Sequence, residues 1–280
     1  MSLVARRRIL PQVATYLGAI VVVVVMAFPL YGIVLTSIQE ETDIRSRDVQ
    51  FIPSYVEIKH YQAIFAADSA VPVREGMINS LVVSLAATFI TVAIAVPASY
   101  GLTRLRPPGS RLILGGLASV YVFPTLLFVI PIFVVWSQIG LFDTYLGLII
   151  PYVAFLLPFV VWILGAFLRS VPLELEEAAR LDGANLFQLL TRIVIPLLRP
   201  GILAALLLGF ILSWVEFLTP LLFTSDLTLL TVALGLFRST IDIKIGQLAA
   251  AAVVTALPVI ILTVVFQSQL TQAITAGTDQ

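Results

Sequence analysis

The sequence predicts an all-α, polytopic membrane protein with six transmembrane helices. Hydrophobic residues make up 60% of the 280 residues and charged residues only 11%, whereas about 25% of the residues in a soluble domain are charged. The charges are also unevenly placed, because six long windows contain almost none. These windows lack the alternation of a transmembrane β-strand. Their backbone groups must therefore be satisfied within helices.

Each window is long enough for the roughly 20 apolar residues with which a helix spans a bilayer. The predicted helices are 13–36, 78–102, 112–136, 145–168, 200–222 and 247–270. The first window begins with charges, as a signal peptide does, but its apolar stretch exceeds the roughly 7–15 residues of such a segment. We therefore expect a retained first helix. Prolines inside several windows are compatible with bent helices around a cavity or with ordinary packing.

The placement of arginine and lysine predicts the orientation of these helices. The N-terminus and the connections 103–111 and 169–199 carry three, three and four arginines, whereas 137–143 has no basic residue and 37–76 is acidic overall. We therefore expect both termini to be cytoplasmic and 37–76 to form an extracytoplasmic lid or short helix. That segment holds the single histidine, His60, and a lone histidine is more often packed or solvated than a ligand.

The 169–199 connection predicts a helix, a turn and a second helix. Pro172 and the acidic residues after it suit the start of a helix. Gly183 suits the end of that helix. Asn185 and Gln188 have the spacing of a capping box, which begins the second helix.

The first helix of this hairpin has the features of a docking element. Ala178 and Ala179 stand beside acidic residues, and small side chains let a partner's backbone come close. The alternative is a helix that lies on lipid, but such helices usually carry a basic polar face. An acidic face is repelled by anionic headgroups. We therefore favour docking to a partner protein.

The same segment resembles the E-A-A-x3-G-x9-I-x-L-P loop of ABC importer permeases. Glu177-Ala178-Ala179, Gly183 and Ile193 to Pro196 match this pattern, with Ile195 in place of leucine as the only departure. The resemblance implies a type I ABC importer permease fold with a cytoplasmic EAA hairpin at 170–196. It assigns ATPase coupling to Glu177, Ala178, Ala179, Asp182, Gly183, Ile193 and Pro196.

Further motifs resemble the carbohydrate branch of these permeases, typified by the smaller permease of the maltose transporter. They are Asn79-Ser80-Leu81, Ala98 to Leu105, Phe123-Pro124, Gly140 to Leu148 and the tail Leu270 to Gly277. One departure is Val215, where the branch usually has asparagine in a W-N-E-F stretch. The resemblance covers nearly the whole chain and implies a location in the bacterial plasma (inner) membrane.

The resemblance also implies the domains and the partners. Residues 1–76 would form the cytoplasmic N-terminus, the first helix and the extracytoplasmic segment; 77–270 the transmembrane core; and 271–280 a cytoplasmic tail. The expected partners are two copies of an ABC ATPase, a second and typically different permease, an extracytoplasmic solute-binding protein and the lipid bilayer. The sixteen basic and sixteen acidic residues cancel, so no nucleic acid is expected as a partner.

The sequence predicts no catalytic site and no metal site in this chain. Its only lysines, Lys59 and Lys244, both follow isoleucine, so the chain lacks a G-x-x-x-x-G-K-[ST] phosphate loop. With no cysteine and a single histidine, thiolate sites and histidine clusters are excluded. We expect no cofactor in this chain, and ATP and Mg²⁺ bound by the partner ATPase.

Glu216 is the only acidic residue inside a predicted span. It indicates either a polar group on a solute path or a carboxylate that reaches the outer interface. The candidate pathway residues are Asn79, Phe123, Pro124, Trp214 and Glu216. The function that the resemblance implies is ATP-driven import of a sugar or sugar-like solute by alternating access. The alternatives are a permease for a polyamine or another small solute, and an ion-coupled secondary carrier, which would generally need more buried ionisable groups.

Overall fold

The computed structural model describes the backbone of residues 3–278, apart from 49, 54, 67–68, 121–123 and 238–243. Side chains are described within 15–267, with the same gaps. Every regular element in this described part is helical. The predicted all-α fold class is therefore confirmed.

The chain divides into two compact units, the first formed by residues 1–73 and 236–256. It contains α1 (Leu3–Ser37), α2 (Glu41–Ile44), α3 (Lys59–Phe65) and the beginning of α14 (Ile245–Thr278). α1 is almost entirely apolar after Arg8, and most of its side chains from residue 15 onward are exposed. The short helices α2 and α3 lie in the segment for which a folded lid or short helix is predicted.

Two contacts within the first unit fix the beginning of α14. The carboxylate of Glu41 accepts the backbone N–H groups of Ile245 and Gly246 at 3.0 and 3.1 Å, and a negative group suits the positive end of a helix. His60 packs so closely that a Cβ on Gly246 would lie 2.2 Å from its Nε2. The same nitrogen lies 2.8 Å from the carbonyl oxygen of Gln39. His60 is therefore a packed side chain.

The second unit consists of residues 74–235 and 257–280. Two π-helical turns interrupt its series of α-helices. In chain order, its elements before α14 are α4 (Val73–Tyr100), the first π turn (Gly101–Leu105), α5 (Ser110–Ser119), α6 (Leu126–Ile139), α7 (Tyr145–Ser170), α8 (Leu173–Leu181), α9 (Leu186–Leu189), the second π turn (Leu190–Val194), α10 (Ile195–Leu197), α11 (Arg199–Trp214), α12 (Leu218–Phe223) and α13 (Leu230–Leu236).

Small residues let α4, α7 and α11 pack closely in the second unit. A Cβ on Gly201 of α11 would lie 2.6 Å from the Phe167 ring on α7, and one on Gly209 would lie 3.2 Å from Thr88 on α4. Such close approach is typical of helix interfaces within membranes. The buried apolar cluster shared by these helices contains Val92, Ala95, Val96, Val160, Val161, Ile163, Leu164 and Ala205.

Four helices in the described part are long and apolar enough to cross a bilayer. They are Thr15–Ser37, Val73–Leu105, Tyr145–Ser170 and Ile245–Gln267, and they coincide with the first, second, fourth and sixth predicted helices. A fifth candidate span is the pair Leu186–Leu197 and Arg199–Trp214, whose axes meet at an angle of 74°.

Two predicted helices are interrupted in the structure. The prediction of a continuous helix over 112–136 is wrong, because α5 ends at Ser119 and α6 begins at Leu126, with Pro124 between them. Pro124 lies outside both helices, and a proline has no N–H group with which to continue a helical series of hydrogen bonds. The prediction of a helix over 200–222 is also wrong, because α11 ends at Trp214 and α12 begins at Leu218. Pro220 would clash with the carbonyl group of Glu216 in a regular helix, and that carbonyl instead accepts the Thr231 hydroxyl at 2.8 Å.

Candidate functional site

The hairpin has the turn and the cap that the sequence predicts. Gly183 follows α8 with a φ of +83°, and its N–H donates to the carbonyl of Arg180 at 3.1 Å. This left-handed conformation favours glycine, so the predicted helix stop is confirmed. The capping box is also confirmed, since the side chains of Asn185 and Gln188 each accept the other residue's backbone N–H, at 2.9 and 3.0 Å.

The residues predicted to couple to an ATPase differ in exposure. Glu177, Ala178 and Asp182 are exposed, so a partner can reach them. Ala179 is only 8% exposed and packs in an apolar cluster with Leu189 and other residues of the hairpin and the adjoining helices. Small size at position 179 therefore serves the packing of the hairpin itself, whereas Ala178 is available to a partner.

A surface concavity brings several of the predicted coupling residues together. Its described lining contains Ala179, Asp182, Gly183, Ala184, Gln188, Arg192 and Ile193. Of the remaining predicted residues, Glu177 is exposed on α8 and Pro196 is exposed on α10. The hairpin thus offers an accessible α8 surface and, beside it, a recess with both acidic and basic groups.

Glu176 is a functional candidate that the sequence analysis did not single out. It is 1% exposed, and its carboxylate pairs with Nε of Arg104 at 2.9 Å and accepts the Tyr100 hydroxyl at 2.9 Å. We call Glu176, Arg104 and Tyr100 the Glu176 clamp. The sequence did contain a signal for this clamp. Tyr100 and Arg104 are four positions apart, and residues at that spacing share one face of a helix. That spacing alone does not say which acidic residue of α8 is the partner.

A cavity of about 240 Å³ lies among α6, α7 and α11, and its described lining is mostly apolar. Glu216 supplies the carboxylate at this cavity. It accepts the backbone N–H of Thr219 at 3.0 Å and the hydroxyl of Tyr152 at 3.3 Å. Glu216 therefore supplies an acceptor for a backbone N–H group in the first turn of α12, and it also lines the cavity. Sequence analysis did not identify Tyr152.

The other residues predicted for a solute path lie elsewhere. Trp214 is 2% exposed, and its ring stacks on Phe210 with 5.4 Å between centroids, so it belongs to the packed core. Pro124 is exposed before α6. Phe123 lies outside the described residues. Of the predicted path residues that the structure describes, Glu216 is the one in the described lining of this cavity.

Asn79 ties α4 to the segment that precedes α13. Its side-chain nitrogen donates to the carbonyl of Thr228 at 2.9 Å, and its oxygen accepts the hydroxyl of Tyr145 at 2.6 Å. Both Asn79 groups thus connect parts of the second unit that are distant in sequence. These two hydrogen bonds explain why an asparagine is present at position 79, with no need for a role in binding a solute.

Asp143 holds the same segment from the beginning of α7. Its carboxylate accepts the backbone N–H groups of Ser225 at 2.9 Å, Asp226 at 3.2 Å and Leu227 at 2.9 Å. We call Asp143 and residues 225–227 the Asp143 latch. Burial raises the pKa of Asp143, but the N–H groups of Leu227, Ser225 and Asp226 and the Ser225 hydroxyl together lower it more, so the pKa lies below its ordinary value of 3.8.

Comparison with known proteins identifies relatives over most of the chain. Residues 88–275 match the family described as binding-protein-dependent transport system inner membrane component. The chain is 34% identical over 235 residues to the trehalose transport system permease protein SugB of Mycobacterium tuberculosis, covering 82% of this chain and 85% of that protein. It is 31% identical over 279 residues to the trehalose/maltose transport system permease protein MalG of Thermococcus litoralis, covering 97% and 98%.

A solved structure has a similar fold. It is described as a bacterial ABC transporter involved in the import of the acidic polysaccharide alginate, and the matched chain has a TM-score of 0.78. The match covers 93% of this chain and 96% of that chain at 22% sequence identity. At this low identity the likeness concerns the fold, and it supports the permease fold expected from the EAA resemblance.

Proposed function

Because this chain belongs to the family of binding-protein-dependent transport system inner membrane components, we propose that it is the permease subunit of an ATP-driven ABC importer for a sugar or sugar-like solute. The observation that carries this proposal is the ordered hairpin of α8 to α10, which lies within the residues that match the family. The hairpin combines a glycine turn, an exposed acidic helix and an adjoining recess, as a docking element requires.

The first helix of the hairpin would seat in a groove of the ATPase. Glu177 would bond a donor of the partner, and Ala178 would let the partner's backbone approach. Gly183 sets the turn, and its position leaves open space, since no atom lies within 4 Å of a Cβ built there. Ala179 would act from the inner side, by holding α8 against the rest of the second unit.

The partner ATPase, in two copies, would bind ATP and Mg²⁺ and supply the energy. This chain would not bind ATP through a phosphate loop, because neither of its lysines follows a glycine, and it would act as a non-catalytic subunit. A second permease and an extracytoplasmic solute-binding protein would complete the importer. The pattern of basic residues supports a cytoplasmic location for the hairpin and both termini, and the family description supports a location in the bacterial plasma membrane. The names of the relatives, which mention trehalose and maltose, support a sugar-like solute.

The cavity at Glu216 is the part of the second unit best suited to meet a polyhydroxylated solute. The Glu216 carboxylate and the Tyr152 hydroxyl can exchange hydrogen bonds with solute hydroxyl groups, and Phe128 and Phe155 add apolar surface. Uptake of radiolabelled trehalose by cells carrying Glu216→Gln tests this role. We expect reduced uptake, and uptake equal to that of the wild type would remove Glu216 from the path.

A pull-down from solubilised membranes tests the proposed function. The tagged wild-type chain should recover an ATPase, whereas Gly183→Asp should insert normally but lose that ATPase, because it places a charge in the contact. Gly109→Asp is the matched control: Gly109 has a φ of +86° and open space around its Cβ, as Gly183 has, but it lies outside the hairpin. We expect Gly109→Asp to recover the ATPase.

The result also separates the alternative functions. If the wild type recovers no ATPase, the importer proposal fails and an ion-coupled secondary carrier becomes the better hypothesis. If it recovers an ATPase and a binding protein, a thermal-shift measurement with trehalose and spermidine separates a sugar importer from a polyamine importer. Stabilisation of the binding protein by spermidine alone would contradict the sugar assignment.

A further inference from the structure

Glu176 is buried on a helix whose other acidic residues are exposed. Only 1% of Glu176 is exposed, whereas Glu174 and Glu177 lie on the accessible surface of α8. Removing a carboxylate from water is strongly unfavourable unless opposite charge and hydrogen-bond donors replace the solvent. The side chains around Glu176 supply both.

The partners of Glu176 come from the end of α4 and the turn that follows it. Nε of Arg104 lies 2.9 Å from one carboxylate oxygen, and the Tyr100 hydroxyl donates to the other at 2.9 Å. Arg180, which is on α8, donates to the same Tyr100 hydroxyl at 3.1 Å. α8 is therefore bonded to this part of α4 by two of its own side chains.

Arg104 extends the network to α7. Its Nη2 donates to the carbonyl oxygens of Leu168 and Val171, at 2.7 and 2.5 Å, where the helix end leaves carbonyl groups short of intrahelical donors. Nε of Arg104 and Oε1 of Glu176 form an ion pair without the alignment of a hydrogen bond. The guanidinium therefore supplies charge to Glu176 and hydrogen bonds to the end of α7. Arg104 also lies in the π turn at Gly101–Leu105, and such turns are frequent at functional sites. The clamp thus joins the hairpin to two long helices.

We infer that Glu176 is a positioning residue that carries movement of the hairpin into α4 and α7. The inference rests on the proposed function, because an ATPase has to move the hairpin. Apolar contacts around Tyr100, Leu168 and Ala179 also join these elements, but such contacts are non-directional and permit sliding. A buried ion pair resists separation, since separation leaves an uncompensated charge. The clamp therefore makes α8 and the adjoining ends of α4 and α7 move together.

Spin labels can measure this shared movement, because the chain has no cysteine of its own. Leu175 on α8 and Leu105 at the end of the π turn are 46% and 50% exposed, so cysteines at both positions accept labels. Pulsed EPR on the whole purified complex would give the label distance without nucleotide and with ATP and vanadate. In the wild type we expect the label distance to be the same in both conditions. In Glu176→Gln we expect ATP and vanadate to shift this distance by about 2 Å or to add a second distance population, as helices slide past one another.

Two controls separate positioning from folding. Glu174→Gln makes the same chemical change on an exposed part of α8, so its label distance should behave as in the wild type. The double variant Glu176→Met with Arg104→Met replaces a buried pair by apolar side chains, a change that is often neutral or stabilising. We expect this variant to fold and still to show the nucleotide-dependent shift, whereas a purely structural pair predicts that the shift disappears.

The outcomes distinguish the inference from the proposed function. A constant label distance in Glu176→Gln or in the double variant would overturn the positioning role, and so would a nucleotide-dependent distance in the wild type. These results would leave the importer proposal standing. Recovery of the wild-type chain without any ATPase would instead refute the proposed function, on which the inference rests.

Discussion

Two carboxylates at opposite ends of α7 are held in different ways. Glu176 is buried and pairs with side chains, whereas Asp143 is partly exposed and accepts backbone N–H groups from 225–227. An ion pair between side chains can be broken by mutation of either residue, and the mutation leaves the charge of the other residue buried. The backbone donors to Asp143 stay in place when a side chain is changed, and the Ser225 hydroxyl adds only a longer bond of 3.3 Å. The main loss therefore follows from replacing the acid, and water can replace part of what is lost. The clamp should therefore be the costlier of the two to break.

Removal of Arg104 should have the largest effect. Arg104→Ala leaves Glu176 buried without its cation, and loss of one partner of a buried pair costs about 3–5 kcal/mol. The apparent melting temperature of the purified complex in detergent measures the loss. Arg111→Ala, which removes an exposed arginine on α5, should change stability by no more than about 0.5 kcal/mol. Equal melting temperatures of the two variants would contradict the importance of the clamp.

Removal of the Asp143 carboxylate should have an intermediate effect. Asp143→Ala leaves three N–H groups without their acceptor, which costs about 1–3 kcal/mol. Hydrogen exchange at 225–227 should accelerate. Asp143→Asn should lose less, because it keeps an acceptor oxygen and tolerates the φ of +58° at this position. Unchanged exchange in Asp143→Ala would show that the latch does not hold the segment.

Acid should weaken the latch in a defined direction. The pKa of Asp143 lies below its ordinary value of 3.8, so its contribution to stability is present above 3.8 and is lost as the pH falls through the pKa of the folded protein. Hydrogen exchange at 225–227, taken as a ratio to Asp143→Asn, should therefore rise only in this acidic range. A ratio independent of pH would mean that the charge of Asp143 does not hold the loop.

The smallest effect is expected at Glu177, which can be compared with its buried neighbour Glu176 on the same helix. Glu177→Gln alters an exposed acid and should change stability by no more than about 0.5 kcal/mol. Glu176→Gln alters the buried acid beside it and should cost about 1–3 kcal/mol. Melting temperatures of the two variants provide the measurement. If both fall equally, burial does not distinguish the two positions.

The sequence predicted the parts of the hairpin that depend on local chemistry. Gly183 and the box of Asn185 and Gln188 could be predicted, because a left-handed turn and a helix cap each need particular residues within a few positions. The burial of Glu176 could not, because three acidic residues of α8 look alike until Arg104, 72 positions earlier, is brought beside one of them.

The transmembrane helices show the same limit. Continuous apolar runs predicted four long helices, because length and hydropathy are properties of the segment itself. The division of the third window around Pro124 and the stop before Pro220 depend on how a proline is accommodated, and a proline in a membrane helix can also be only a kink. The packing of Trp214 against Phe210 likewise depends on tertiary contacts, since an aromatic residue in a span can face core, cavity or lipid.

The angle between the second hairpin segment and α11 has a mechanical consequence. Because the axes of Leu186–Leu197 and Arg199–Trp214 meet at 74°, a displacement directed along the first axis has only a small component along the second. Most of the displacement is perpendicular to the axis of α11. A push along Leu186–Leu197 would therefore tilt α11 instead of translating it along its own axis.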